Sequence, residues 1–271
     1  MDWLTEPFAQ AFMQRAALGG ALAAVATAVV GTWVVLRGLT FMGDALAHGV
    51  IPGIALAVVW GFDLGLGAAV SALVMVAGIN VIHRYSRLQE DVGIGLLFVG
   101  MLAAGVVIIS RTSSYSGSLT EILFGDALAT TSADLVLLGA TLAAVVASTL
   151  IFYRAFLVLS FNEQKAEMLG LHPRIAHVVM LALVTLAVIA AFQTVGTLLV
   201  FSLLVAPPAT ASLLVRRVPA MMMLSGLLGI GAVGVGLLVS WHADTAASAT
   251  VAAVAVAGFF AVLAFRPASR A

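Results

Sequence analysis

Apolar residues in this chain come in runs of about 20, the length an α-helix needs to cross roughly 30 Å of hydrocarbon. Short clusters of charged, proline or glycine residues separate the runs, which fall near 16–36, 40–60, 64–82, 92–110, 134–153, 176–193, 197–215, 220–240 and 246–265. None alternates strictly as a barrel strand would. Lipid offers the backbone no hydrogen bonds, so only helices or closed barrels can span it. The pattern predicts an all-α polytopic membrane protein of about nine spans, folded as one domain over 1–271.

Basic residues set the orientation, because short loops rich in them stay in the cytoplasm. With nine spans, Arg37, Arg84, Arg87, Arg154, Lys165, Arg174, Arg216, Arg217, Arg266 and Arg270 all fall on one side, and only Arg15 and Arg111 on the other. The expected arrangement has the N-terminus outside, the C-terminus inside, and the 154–175 connection in the cytoplasm. Asp2 and Glu6 precede every basic residue. That is the wrong polarity for a signal peptide, so the first span is expected to be retained.

Composition narrows the function. The 271 residues are 63% hydrophobic and 9% charged, against roughly 25% charged in soluble domains, which excludes a water-soluble enzyme. Twelve basic residues balance twelve acidic ones, leaving no excess charge for nucleic acid. Cysteine is absent, so metal chemistry would have to use His, carboxylate, backbone oxygen or Met. The only lysine, Lys165, lies between Gln164 and Ala166. A phosphate-binding loop ending in Gly-Lys-Ser/Thr is therefore excluded, as are a Gly-x-Ser-x-Gly elbow and a His-Glu-x-x-His helix.

Ionisable residues inside a span are expensive and mark function. Asp44 and His48 stand four apart in the second run, on one helix face. They could hold a divalent cation together, or hydrogen-bond to each other near a helix end. Pro52 and Gly53, a turn later, predict a kink. His242 and Asp244, between the last two runs, offer a second imidazole and carboxylate. Two residues apart, they need a loop or helix end to present them; the alternative is an exposed pair with Trp241 as an interfacial anchor. The expected topology puts Asp44 toward the cytoplasmic end of its helix and Asp244 toward the outer face, so a shared site would require broken helices.

Other features read as structure. His83 beside Arg84 and Arg87 fits a cytoplasmic helix end, Glu121 and Asp126 a short interfacial helix with a solvated face, and Met221 to Met223 packing or lipid contact rather than Cu(I) binding. Gly229, Gly231, Gly234 and Gly236 fit close helix packing. In the cytoplasmic connection, Asn162 is a good N-cap, residues 165–169 favour helix, and Gly170 with Pro173 supplies a stop. A short helix over about 161–170 is expected, with Ala166 and Leu169 on one side and charges on the other, suited to docking into a groove on a partner.

The stretches Gly43-Asp44-Ala45-Leu46-Ala47-His48-Gly49-Val50-Ile51-Pro52-Gly53, Ser160 to Gly170, and Val195 to Val200 through Ala206-Pro207-Pro208-Ala209 together resemble the permease subunit of bacterial ATP-binding-cassette importers for zinc and manganese. The likeness is greatest to the zinc branch. It implies that Asp44 and His48 line the metal pathway and that His242 and Asp244 supply the second histidine and carboxylate. This chain has Thr245, Ala246 and Ala247 where the family often has Pro or Gly. No permanently bound cofactor is implied; Zn2+ is the expected cargo, with Mn2+ as the alternative. The implied partners are a second permease copy, two cytoplasmic ATP-binding subunits gripping Asn162, Glu163, Lys165, Glu167 and Gly170, an extracytoplasmic metal-binding protein, and membrane lipid. An iron importer of the same family, a metal-chelate permease, an ion-coupled secondary transporter using Asp44 and a metal-using membrane enzyme are the competing readings.

Overall fold

The computed structural model describes residues 6–85, 90–110, 128 and 130–265. After a short turn at Pro7–Ala9 come α1 (Ala11–Arg37), α2 (Met42–Gly49), α3 (Ile51–Trp60), α4 (Leu64–Tyr85), α5 (Glu90–Ser110) and α6 (Ser132–Phe161). They are followed by α7 (Glu163–Met168), α8 (Pro173–Val195), α9 (Thr197–Leu214), α10 (Val218–Ala243) and α11 (Ala247–Phe265). With α2 and α3 taken as the two halves of one span, nine helical segments among the described residues are long and apolar enough to cross a membrane. The molecule is an all-α polytopic membrane protein.

Local chemistry fixes the ends. α6 starts in a capping box, with the Thr131 side chain accepting from the Asp134 N–H and Asp134 from the Thr131 N–H at 2.8 Å; this pairs two of the N–H groups a helix start leaves open. Pro173 and Pro219 occupy first turns, where a missing N–H costs nothing. A single residue, Gly196, at φ 86° and ψ 161°, joins α8 to α9. That conformation is closed to residues with a Cβ.

Two expected boundaries are corrected. The fifth span does not stop at 153 but continues helical to Phe161, so Arg154 lies within α6 and not in a loop. One charged residue followed by Ala155-Phe156-Leu157-Val158-Leu159 does not break a helix; Asn162, at φ −162°, does. The short helix expected over about 161–170 is correspondingly shorter, covering Glu163–Met168. Arg87, Arg111, Glu121, Asp126, Arg266 and Arg270, and the side chains of His83 and Arg84, lie outside the described residues.

α1 is the central post, buried against α6, α8, α9 and α10, while α3, α4 and α5 form a second group. α2 bridges the two by packing on α5, α8 and α9. Pro208 removes the N–H that would bond the Leu204 carbonyl, and that oxygen lies against Gly31 of α1 so closely that a Cβ there would overlap it. Of the four glycines noted in α10, Gly229 packs on Ala24 and Gly236 on Val251, whereas Gly231 and Gly234 have nothing within 4 Å of a Cβ. Buried hydroxyls of Thr27, Thr32, Thr185, Thr194 and Thr210 donate to carbonyls four residues back, which satisfies them within their own helices.

Candidate metal site in a broken helix

α2 ends after Gly49 because Pro52 lacks an N–H and its ring would collide with the His48 carbonyl in a continuous helix. The chain turns at Val50 and restarts as α3 with Pro52 in its first turn. Ser71 of α4 reaches across the break, its Oγ donating to the Gly49 carbonyl at 2.8 Å. A polar, fixed discontinuity therefore follows His48 directly. Irregular backbone at membrane depth is tolerated where protein or a water-lined cavity surrounds it.

On α2 the His48 Nδ1 lies 3.3 Å from Asp44 Oδ1 and 3.1 Å from the Asp44 carbonyl oxygen. Both partners are acceptors, so Nδ1 carries the hydrogen, and in the neutral imidazole Nε2 is left with a lone pair for a ligand. That division of labour orients a metal-binding imidazole through a carboxylate behind it. The two side chains are 25% and 29% exposed, His48 and Asp44 respectively. The His48 ring stands edge-on to Phe98 of α5 at 5.7 Å, and Phe98 edge-on to Phe41 at 5.4 Å. An apolar wall thus backs a polar pair. The mutual hydrogen bond and the capacity to bind a cation, set out as alternatives from spacing, are compatible in this geometry.

His242 and Asp244 sit elsewhere. His242 is exposed in the last turn of α10 with Nδ1 2.9 Å from the Leu238 carbonyl, and Asp244 caps that helix in the left-handed region at φ 54°. A helix end presents them, as their spacing requires, and neighbouring Trp241 packs on Phe12 at 6.2 Å. α10 packs on α1, α9 and α11, while α2 packs on α4, α5, α8 and α9. Among the described residues no three His, Asp or Glu side chains come close enough to hold one metal ion. The structure does not bring the four expected ligands together. Nor do the three methionines converge, Met221 being buried and Met223 71% exposed.

Asn162 caps α7, its Oδ1 accepting from the Lys165 N–H at 2.9 Å, and Gly170 turns the chain at φ 67°. Lys165 and Glu167 are exposed; the Glu163 side chain lies outside the described residues. Ala166 and Leu169 do not share a buried face. Ala166 is fully buried, whereas Leu169 lies past the last helical residue and is 65% exposed. Beside it opens a cleft of about 390 Å³ lined by Glu167, Gly170, His172, Pro173, Arg174 and Ile175. One half-buried polar contact was not foreseen from the sequence: Arg37 Nη1 at the end of α1 lies 2.7 Å from His177 Nδ1 on α8. A histidine within an apolar run was its only sequence signal.

Comparison with known proteins agrees with this architecture. The manganese transport system membrane protein MntC of Listeria innocua is 36% identical over 256 residues, covering 94% of this chain and 91% of the relative. The chelated iron transport system membrane protein YfeD of Yersinia pestis is 34% identical, covering 90% and 82%. The solved structure of PsaBC from Streptococcus pneumoniae in complex with Fab superposes with a TM-score of 0.85 at 30% identity, over 99% of this chain and 97% of that one. Residues 9–266 match the model of the ABC 3 transport family, and the chain belongs to that family, the permeases of ATP-binding-cassette metal importers.

Proposed function

We propose that this permease carries a divalent first-row metal past Asp44 and His48, and that manganese or iron stands ahead of the zinc expected from the sequence. The observation that carries the reading is the half-buried carboxylate–imidazole pair at a helix break inside a span. Zinc has less support: the relatives MntC and YfeD are named for manganese and chelated iron, and one carboxylate with one imidazole and no thiolate suits manganese or iron as well as zinc. Two protein donors form no closed cage. A pathway needs that weakness, since an ion held too firmly does not leave.

In this reading two copies of the chain form the pathway in the bacterial inner membrane, each with its N-terminus outside and C-terminus in the cytoplasm. Two ATP-binding subunits dock at α7 and the cleft beside it, through Asn162, Glu163, Lys165, Glu167 and Gly170. An extracytoplasmic protein delivers the ion to the outer mouth, where His242 and Asp244 meet it first. ATP hydrolysis by the partners alternates access. The chain itself catalyses no reaction.

The test is uptake of radiolabelled Mn2+, Fe2+ and Zn2+ into proteoliposomes holding the complete complex. Asp44→Ala and His48→Ala are expected to abolish uptake of the preferred metal with assembly intact, and His242→Ala to slow it. Normal uptake by both α2 variants would reject the site. Zn2+ outrunning Mn2+ and Fe2+ would restore the zinc assignment.

A further inference from the structure

The Arg37–His177 contact joins two elements that transport has to coordinate. His177 is 2% exposed and lies one turn into α8, which begins just after α7 and the cleft beside it. Arg37 is the last residue of α1. Gly38, left-handed at φ 70°, follows it, and four residues later α2 begins with Asp44 in its first turn. The guanidinium can only donate, so at 2.7 Å His177 Nδ1 accepts. Such a charge-assisted bond is short and directional. α7 is tied to the same region by the buried Ala166, whose carbonyl accepts from the Leu171 N–H at 3.0 Å, and it packs on α6 and α8.

Following the atoms, a displacement of α7 moves the first turns of α8, the His177–Arg37 bond passes it to the end of α1, and the short segment after Gly38 passes it to the helix holding Asp44 and His48. We infer that Arg37 and His177 are positioning residues that couple the partner-docking end of the permease to its metal-binding helix. The inference rests on the transport reading above. It assigns no contact with the ion to either residue.

The experiment uses the full complex in proteoliposomes and measures metal taken up per ATP hydrolysed. His177→Leu and Arg37→Met each remove the bond. His177→Asn keeps an acceptor oxygen near the position of Nδ1. Expected is a fall of about tenfold in the ratio for both bond-breaking variants, the scale of a coupling free energy between linked sites, with ATP hydrolysis retained and the ratio largely restored in His177→Asn. If His177→Leu does not assemble, Arg37→Met reads the same bond from the other side. An unchanged ratio in either bond-breaking variant, or a loss that His177→Asn does not recover, overturns the link while leaving the transport reading standing. Absence of ATP-driven uptake by the wild-type complex overturns both.

Discussion

The crossing of α3 and α4 is held by two glycines facing each other, and it lies just beyond α2, the helix that carries Asp44 and His48. A Cβ on Gly53 would overlap the Gly67 carbonyl oxygen and come within 2.7 Å of both the Gly67 carbonyl carbon and Ser71 Cβ; a Cβ on Gly67 would reach 2.9 Å from Ala57 Cβ. Ordinary contact starts at 3.4 Å. Relief at Ser71 alone therefore moves the helices apart by about 0.7 Å, enough to forfeit roughly a quarter to a half of the dispersion energy of each atom pair across the crossing. Overpacking of this kind costs about 1–3 kcal/mol. The upper end applies here, because Ser71 also holds the Gly49 carbonyl.

Gly53→Ala should therefore lower stability, and it should slow uptake by disturbing the break next to His48. Gly100→Ala and Gly139→Ala are the controls. Both glycines lie inside helices with nothing within 4 Å of a Cβ, and alanine is the better helix former by up to about 1 kcal/mol. The same chemical change thus has opposite expected signs. Thermal unfolding of the purified protein in detergent, followed by tryptophan fluorescence, ranks the three variants. A Gly53→Ala midpoint at or above that of Gly100→Ala would refute the packing argument.

Ser71→Ala leaves the Gly49 carbonyl unpaired and is predicted to cost about 1–3 kcal/mol, read as a lower unfolding midpoint and slower metal uptake. Asp244→Gly relieves a left-handed backbone at φ 54°, worth up to about 1 kcal/mol, while removing the carboxylate proposed for the outer mouth; a raised midpoint with reduced uptake is expected, and unchanged uptake would make Asp244 a helix cap only. Asn162→Ala removes the α7 cap, costing about 1 kcal/mol locally, and should speed amide hydrogen exchange across Glu163–Met168 with the global midpoint unmoved.

The spans were legible because hydropathy over about 20 residues is a local property of the chain. Asp44, His48 and the break at Pro52 were legible for the same reason, since one helix face and one missing N–H are both short-range facts. The continuation of α6 past Arg154 was not, because a helix end is decided by the first residue able to leave the helix, here Asn162, and not by the first charge. The separation of His242 and Asp244 from α2 was legible in part, since the span count set Asp44 and Asp244 toward opposite ends of the bundle; which helices α10 packs against was not, because no spacing in the chain encodes its neighbours. The Arg37–His177 bond joins residues 140 apart and belongs to the same class of information.

A connector only one residue long leaves α8 and α9 no slack at Gly196. The joint is bonded on both sides, the Gly196 N–H donating to the Phe192 carbonyl at 3.1 Å and the Val200 N–H to the Gly196 carbonyl at 3.2 Å, so a slide of one helix along the other by a full turn would have to break these bonds. A displacement of the last turn of α8 therefore reaches α9 through a single backbone joint, about two helical turns before Leu204, the residue pressed against Gly31 and Gly43.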